Sequence, residues 1–119
     1  MCKLVLLNHP TCLRKESIIH MNKQEYLLNK LSQECIEVAK EISKALEFGL
    51  DDIYLRDKPY KSNKQKIETE LNDLLGTLIK VIDNGILDST PIYDNDGHIK
   101  KIEKINKYME YAREIGVLK

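Results

Sequence analysis

Between Ile67 and Ile82 the chain reads "IETELNDLLGTLIKVI", with apolar residues at 67, 71, 74, 75, 78, 79 and 82, and Val81 widening the set. Steps of three and four place them along one side of an α-helix. A strand cannot use that spacing, because it turns successive side chains to opposite faces. The stripe is broader than one neighbouring helix covers, so this helix is expected to be buried on more than one side. In a chain of 119 residues that demand falls on one small core, and oligomerisation is a natural way to meet it.

Helix start and stop signals organise the rest. Asn22 and Glu25 form a capping box, and Met21 can staple against Tyr26. The first helix then runs through Leu28, Leu31, Cys35, Val38, Ile42 and Ala45 to Phe48, and Gly49 stops it. "LDDIYLRDKPYK" has neither helical nor strand period and reads as a loop. Ser62 and Gln65 box the second helix, which ends at "DNG" around Gly85. A third helix follows "YDNDG", with Asp96 as its cap, Ile102, Ile105, Met109 and Ala112 as its inner face, and an end near Gly116. No strand-period segment or repeat appears. The expected fold is all-α: antiparallel helices in a bundle, one domain over residues 21–119, preceded by a loosely attached extension over residues 1–20 that contains Pro10 and no sustained period.

Composition excludes several functions. With 42% hydrophobic and 32% charged residues the chain reads as a folded globular domain, not a disordered tail or a membrane protein. Its 19 basic residues balance 19 acidic ones without a long Lys/Arg block, which disfavours a nucleic-acid partner. "MCKLVLL" is too short for a signal-peptide core or a membrane span. Cys2, Cys12 and Cys35 are odd in number and unpatterned, so no disulfide framework is expected and a cytoplasmic location fits best.

The acidic residues carry the chemistry. Glu34, Glu37 and Glu41 share one helix face at the edge of the apolar stripe, and Glu70 and Asp73 repeat the arrangement on the second helix. Like charges at this spacing destabilise a helix, increasingly so as water is withdrawn. Lys30, Lys40 and Lys44 can supply ordinary surface pairs. A sharper possibility is that packing of the two helices brings Glu34 and Glu37 opposite Glu70 and Asp73, an all-oxygen cage of the kind built inside helical bundles. Such donors suit Mg²⁺ or Mn²⁺ better than zinc, and bound Mg²⁺ commonly takes further oxygens from a substrate phosphate.

"LSQECIEVAKEISKALEFGL" followed by "ETELNDLLGTLIKVIDNG" resembles the MazG-like branch of the all-α nucleoside triphosphate pyrophosphohydrolases, whose pattern is ExxE, a spacer, then ExxD on the next helix. Here these are Glu34 to Glu37 and Glu70 to Asp73, and the closing "INKYMEYAREIGVLK" is similar to the tail of small phage and bacterial members. The resemblance covers residues 21–119, with 32 residues between Glu37 and Glu70, a longer spacer than is usual in the family. It implies Mg²⁺-dependent cleavage of a nucleoside triphosphate between its α and β phosphates, giving a monophosphate and pyrophosphate, by a homodimer or homotetramer. Glu34, Glu37, Glu70 and Asp73 would hold the metal, Glu37 would accept the proton of the attacking water, and Glu41 would be an added ligand or an anchor behind the others. Lys104, Lys107, Tyr108 and Asn72 are the nucleotide-binding candidates, though the first three also read as a solvated helix face. The rival readings are a helical interaction module that keeps the fold without the chemistry, and a hydrolase of another phosphoanhydride such as phosphoribosyl-ATP.

Other motifs weigh less. "IYDNDGHIKKIE" has Ile92 where a calcium loop needs its first acid, which leaves a turn and a helix cap. Cys2, His9, Cys12 and His20 match no usual zinc spacing. His98 reads as a surface residue and Cys35 as a small core hydrophobe. Tyr54 and Tyr60 can form a lid over a nucleobase or pack back on the helices.

Overall fold

Asn22 opens the first helix as its sequence demands: its Oδ1 accepts from the Glu25 N–H at 2.8 Å, and Glu25 Oε1 accepts from the Asn22 N–H at 3.0 Å. The structure is a computed structural model that describes residues 20–119, so the expectations for the N-terminal extension, Cys2, His9 and Cys12 fall outside the described residues. Helix α1 covers Lys23–Phe48, α2 Asn63–Asp83, α3 Ser89–Ile92 and α4 Asn95–Glu114. Among the described residues no strand forms, and Ile53 and Ser62 make an isolated bridge. The fold is all-α. No helix among them is long and apolar enough to cross a membrane. The described residues divide into two compact units, a first that ends at Asp83 and a second, Asn84–Lys119.

In the first unit α1 packs against α2. Gly49 ends α1 with φ at 104°, a conformation costly for residues with a Cβ, and its N–H donates to the Ala45 carbonyl at 2.8 Å. The loop then turns back and is clamped by the first turn of α2. Asn63 N–H donates to the Asp52 carbonyl at 3.0 Å, Lys64 N–H to the Leu50 carbonyl at 2.9 Å, and Asn63 Nδ2 to the Gly49 carbonyl at 2.8 Å. Amides left over at a helix start are thereby used by the loop. Ser62 and Gln65 complete the start with the expected box, at 2.9 and 3.1 Å.

The buried residues locate the helix contact. Ala45 and Glu41 of α1 and Val81 and Asn63 of α2 are buried, and Val81 is 0% exposed. Leu27, Leu31, Glu34 and Val38 extend the α1 side as half-buried positions, and Ile67, Glu70, Leu74 and Leu78 extend the α2 side. Alternate steps of three and four along 27, 31, 34, 38, 41 and 45 mark one packing seam. Carboxylates occupy part of it. The expectation that α2 is buried on more than one side does not hold among the described residues: Leu71, Leu75 and Ile79 are exposed, while Val81 on the side facing α1 is fully buried. Cys35 is likewise exposed and not a core residue, since the seam turns it outward.

In the second unit α4 begins earlier than expected. Asp94, not Asp96, is the N-cap, with extended backbone, and Asp96 sits in the first turn. A Cβ at Gly97 would lie 2.6 Å from Asp94 Oδ2, so glycine leaves room for that carboxylate over the first turn. The single turn α3 escaped notice because four residues are too few to show a period. Ile102, Ile105 and Met109, the expected inner face of α4, are exposed, and Ala112 is half-buried. The chain closes with Val117 and Leu118 N–H groups both on the Ala112 carbonyl, at 2.9 and 3.0 Å, around Gly116 at φ 83°.

Replacing Asn63 by alanine should lower stability by about 1–2 kcal/mol, through loss of the side-chain clamp on Gly49. Val81→Ala should lower it by about 1.5–3 kcal/mol through lost burial and a residual cavity. Urea unfolding followed by circular dichroism reads both, and an unchanged midpoint for Asn63→Ala would show that the loop clamp carries no stability.

Candidate metal centre

Three carboxylates meet where α1 crosses the middle of α2. Glu34, Glu70 and Asp73 each offer an oxygen, and all of these lie within 4.8 Å of one another. Oxygens around one Mg²⁺ at about 2.0–2.1 Å are separated by at most about 4.2 Å, so small side-chain rotations bring the three into a shared shell. Glu34 and Glu70 are half-buried and Asp73 is exposed. The donor set suits a hard cation that retains water.

Glu37 lies outside that trio. It is half-buried, and its Oε1 is 3.9 Å from Lys40 Nζ. Glu41 is buried, with 7% of its surface exposed; Oε2 lies 3.4 Å from Lys44 Nζ. Among the described residues no donor reaches its Oε1. A buried polar atom left in that condition costs about 1–3 kcal/mol, which is tolerated only where something offsets it. The same register that carries Ala45 and Val38 to the seam carries Glu41 there.

Glu70 feels all of its neighbours. Loss of surrounding water raises its pKa above the usual 4.5, and the charges of Asp73, Glu37, Glu34 and Glu41 raise it further. Four other acids therefore act on Glu70, although only two of them, Glu34 and Asp73, bring oxygens close to it.

Two grooves flank them. The wider, about 550 Å³, is lined by Lys30, Gln33, Glu34, Asn72, Asp73 and Gly76 among others, which places the candidate Asn72 beside the acids. The narrower, about 230 Å³, lies toward the loop and is lined by Glu41, Lys44, Pro59, Lys61, Lys66, Thr69 and Glu70. Lys104, Lys107 and Tyr108 are exposed on α4, in the second compact unit. There Lys104 and Tyr108 border an apolar groove with Ile105, Met109 and Leu118. Tyr54 and Tyr60 are exposed, and Tyr54 lines a further hollow with Phe48 and Asn63. His98 is exposed and its Nε2 lies 2.9 Å from the Ile92 carbonyl.

Sequence reasoning undervalued Glu41, the most buried of the acids, and overlooked Lys44, Lys61 and Lys66 as a group. Counting the alternate three-four register from Leu27 reaches Glu41. No sequence signal joins the lysines, which come from α1, the loop and α2. Comparisons with known protein families, curated proteins and solved structures found no match.

The Glu70 shift has a definite consequence for stability. A carboxyl whose pKa is raised on folding binds protons more readily folded than unfolded, so stability falls as pH rises from the ordinary carboxylate value through the folded one. In metal-free buffer Glu70→Gln should melt higher than the parent protein at pH 7, with the gap closing as pH drops below 4.5. Equal melting temperatures at pH 7 would mean that Glu70 is not under this repulsion.

Proposed function

We propose that the protein is a Mg²⁺-dependent nucleoside triphosphate pyrophosphohydrolase of the MazG-like kind, acting in the cytoplasm as a homo-oligomer. The carrying observation is the convergence of Glu34, Glu70 and Asp73 oxygens within 4.8 Å across a helix seam, beside a buried Glu41 with an unpartnered oxygen. That arrangement is expensive without a cation and sensible with one. It also follows the ExxE and ExxD order on which the resemblance rests.

When bound by Glu34, Glu70 and Asp73, Mg²⁺ or Mn²⁺ would neutralise phosphate oxygens and acidify a coordinated water. Glu37, next to the trio and able to swing from Lys40, accepts the proton of the attacking water. The water oxygen bonds to the α phosphorus, the bond from that phosphorus to the α–β bridging oxygen breaks, and pyrophosphate departs with the bond's electron pair. Lys40, 3.9 Å from Glu37, holds that carboxylate beside the trio until it is used. Glu41 anchors the ligands from behind or joins them.

An antiparallel bundle completed by a second copy suits the other side of the helix pair. At about 100° per residue, Leu28, Ile42 and Leu46 of α1 and Leu71, Leu75 and Ile79 of α2 are rotated away from the acids, and all are exposed. In an antiparallel pair, where chain direction reverses, an offset of the same sense on each helix lands on one side of the pair. An acidic face and an apolar face result, and a homodimer or homotetramer would cover the second.

Incubation with Mg²⁺ and a panel of common and modified nucleoside triphosphates should release pyrophosphate. Glu37→Ala or Asp73→Ala should lower the rate at least a hundredfold with helicity preserved. Silence across the panel would favour a helical interaction module instead. Separately, sedimentation should give a dimer or tetramer that the double substitution Leu75→Glu, Ile79→Glu converts to monomer; a parent protein that sediments as a monomer would remove the oligomer from the proposal.

A further inference from the structure

The end of α1 and the loop that follows it carry a mixture that a connecting segment does not need. From Glu47 to Leu55 there are three acids, Glu47, Asp51 and Asp52, and no basic residue. Beside them Leu50, Ile53 and Leu55 are exposed, Leu55 by 73%. Among the described residues none of the three acids has an ion-pair partner. The backbone beneath them is held: the Gly49, Leu50 and Asp52 carbonyls accept from Asn63 and Lys64, and Ile53 bridges to Ser62. Side chains on a backbone already fixed lose little freedom when they dock.

The second unit has the complement. Ile105, Met109, Val117 and Leu118 line a groove of about 430 Å³ together with Lys101 and Lys104, and no acid lines it. Val117 and Leu118 reach it because their N–H groups return to the Ala112 carbonyl and turn the segment after α4 back along the helix. Neither lysine has an ion-pair partner among the described residues, and Ile105, Met109 and Val117 are exposed. A cavity of about 150 Å³ holds one benzene-sized group, so this groove has room for two branched side chains. Lysines beside an apolar hollow select a partner that brings acids and aliphatic groups together, and they repel a basic one.

We propose that the stretch from Leu50 to Leu55 of one copy docks on this groove of a second copy, its two leucines entering the hollow and Asp51 and Asp52 meeting Lys101 and Lys104. The occupant is another copy of this chain because the loop offers, on a preformed support, the acids and aliphatic groups that the groove selects. In a two-fold dimer the contact forms twice, loop to groove and groove to loop, so a small patch contributes twice over. The inference rests on the homo-oligomer proposed above and names a contact separate from the apolar face of the helix pair.

Sedimentation of the full chain over a range of concentrations, in low salt, tests this with charge reversals. Lys101→Glu, Lys104→Glu on the groove and Asp51→Lys, Asp52→Lys on the loop should each weaken association about tenfold or more. Mixed in equal amounts, the two double variants should associate within about threefold of the parent protein's affinity, because each loop then faces a groove of opposite sign. Lys100→Glu, at a side chain that does not line the groove, should change association less than about twofold, and melting curves confirm that each variant folds. Association that no reversal weakens overturns the loop contact and leaves the apolar-face bundle standing. Weakening without recovery on mixing also overturns it, and recovery only when all four substitutions share one chain replaces the second copy with a contact inside the chain. A parent protein that sediments as a monomer removes the oligomer and this contact with it. Turnover of triphosphates is a separate measurement, so the hydrolase reading and the loop contact fail independently.

Discussion

Negative charge placed in a helix seam is the constraint on which the rest of the first unit depends. Positions 34 and 41 of α1 and 70 of α2 alternate with Leu31, Val38, Ala45, Ile67 and Leu74, where a packing register calls for apolar side chains. Each glutamate so placed gives up hydrophobic contact and gathers repulsion. Burial and four neighbouring acids push the Glu70 carboxyl upward. The packed contact survives because it is secured beyond the acids, by Ala45 and fully buried Val81, and because the loop joins the helices through main-chain hydrogen bonds.

That loop does more than connect. A connection of this length could wander, yet Asn63 spends its side chain on the Gly49 carbonyl and its amide on Asp52. Its burial is the structural cost of holding the loop in one place. The return path brings Pro59 and Lys61 to the same groove as Glu41 and Glu70. Positive charge from outside the helix pair thus reaches the edge of the acidic cluster. The length of this connection is here the source of a feature, since long surface loops cost little extra closure entropy.

The two faces of the helix pair divide the work expected of it. In the proposed bundle the carboxylates occupy one, while Leu28, Ile42, Leu71 and Leu75, all exposed, would lie on the other. A helix pair this thin cannot bury both sides of its stripes by itself. Breadth in the α2 pattern therefore reports surface that needs covering, and it does so without saying which neighbour covers it.

Local signals were legible. Asn22 with Glu25, Ser62 with Gln65, and Gly49, Gly85 and Gly116 each mark a helix boundary where the structure has one, since capping and positive φ depend on a few adjacent residues. Periodicity likewise sufficed for three long helices, and the pairing of acids at i and i+3 marked the region of the site. Periodicity failed for Ser89–Ile92, which is shorter than its own repeat, and it misplaced Cys35, because an apolar stripe wider than a seam does not reveal its centre. By itself the sequence determined the helices, their ends and the acid-rich faces, all of them consequences of neighbours within four residues. Only tertiary structure decided that Glu34, Glu70 and Asp73 draw together while Glu37 stands aside, that Glu41 is buried, and that three distant lysines share a groove. Rotation of one helix about its axis by a fraction of a turn changes which carboxylates meet, and that angle is set by packing across the seam.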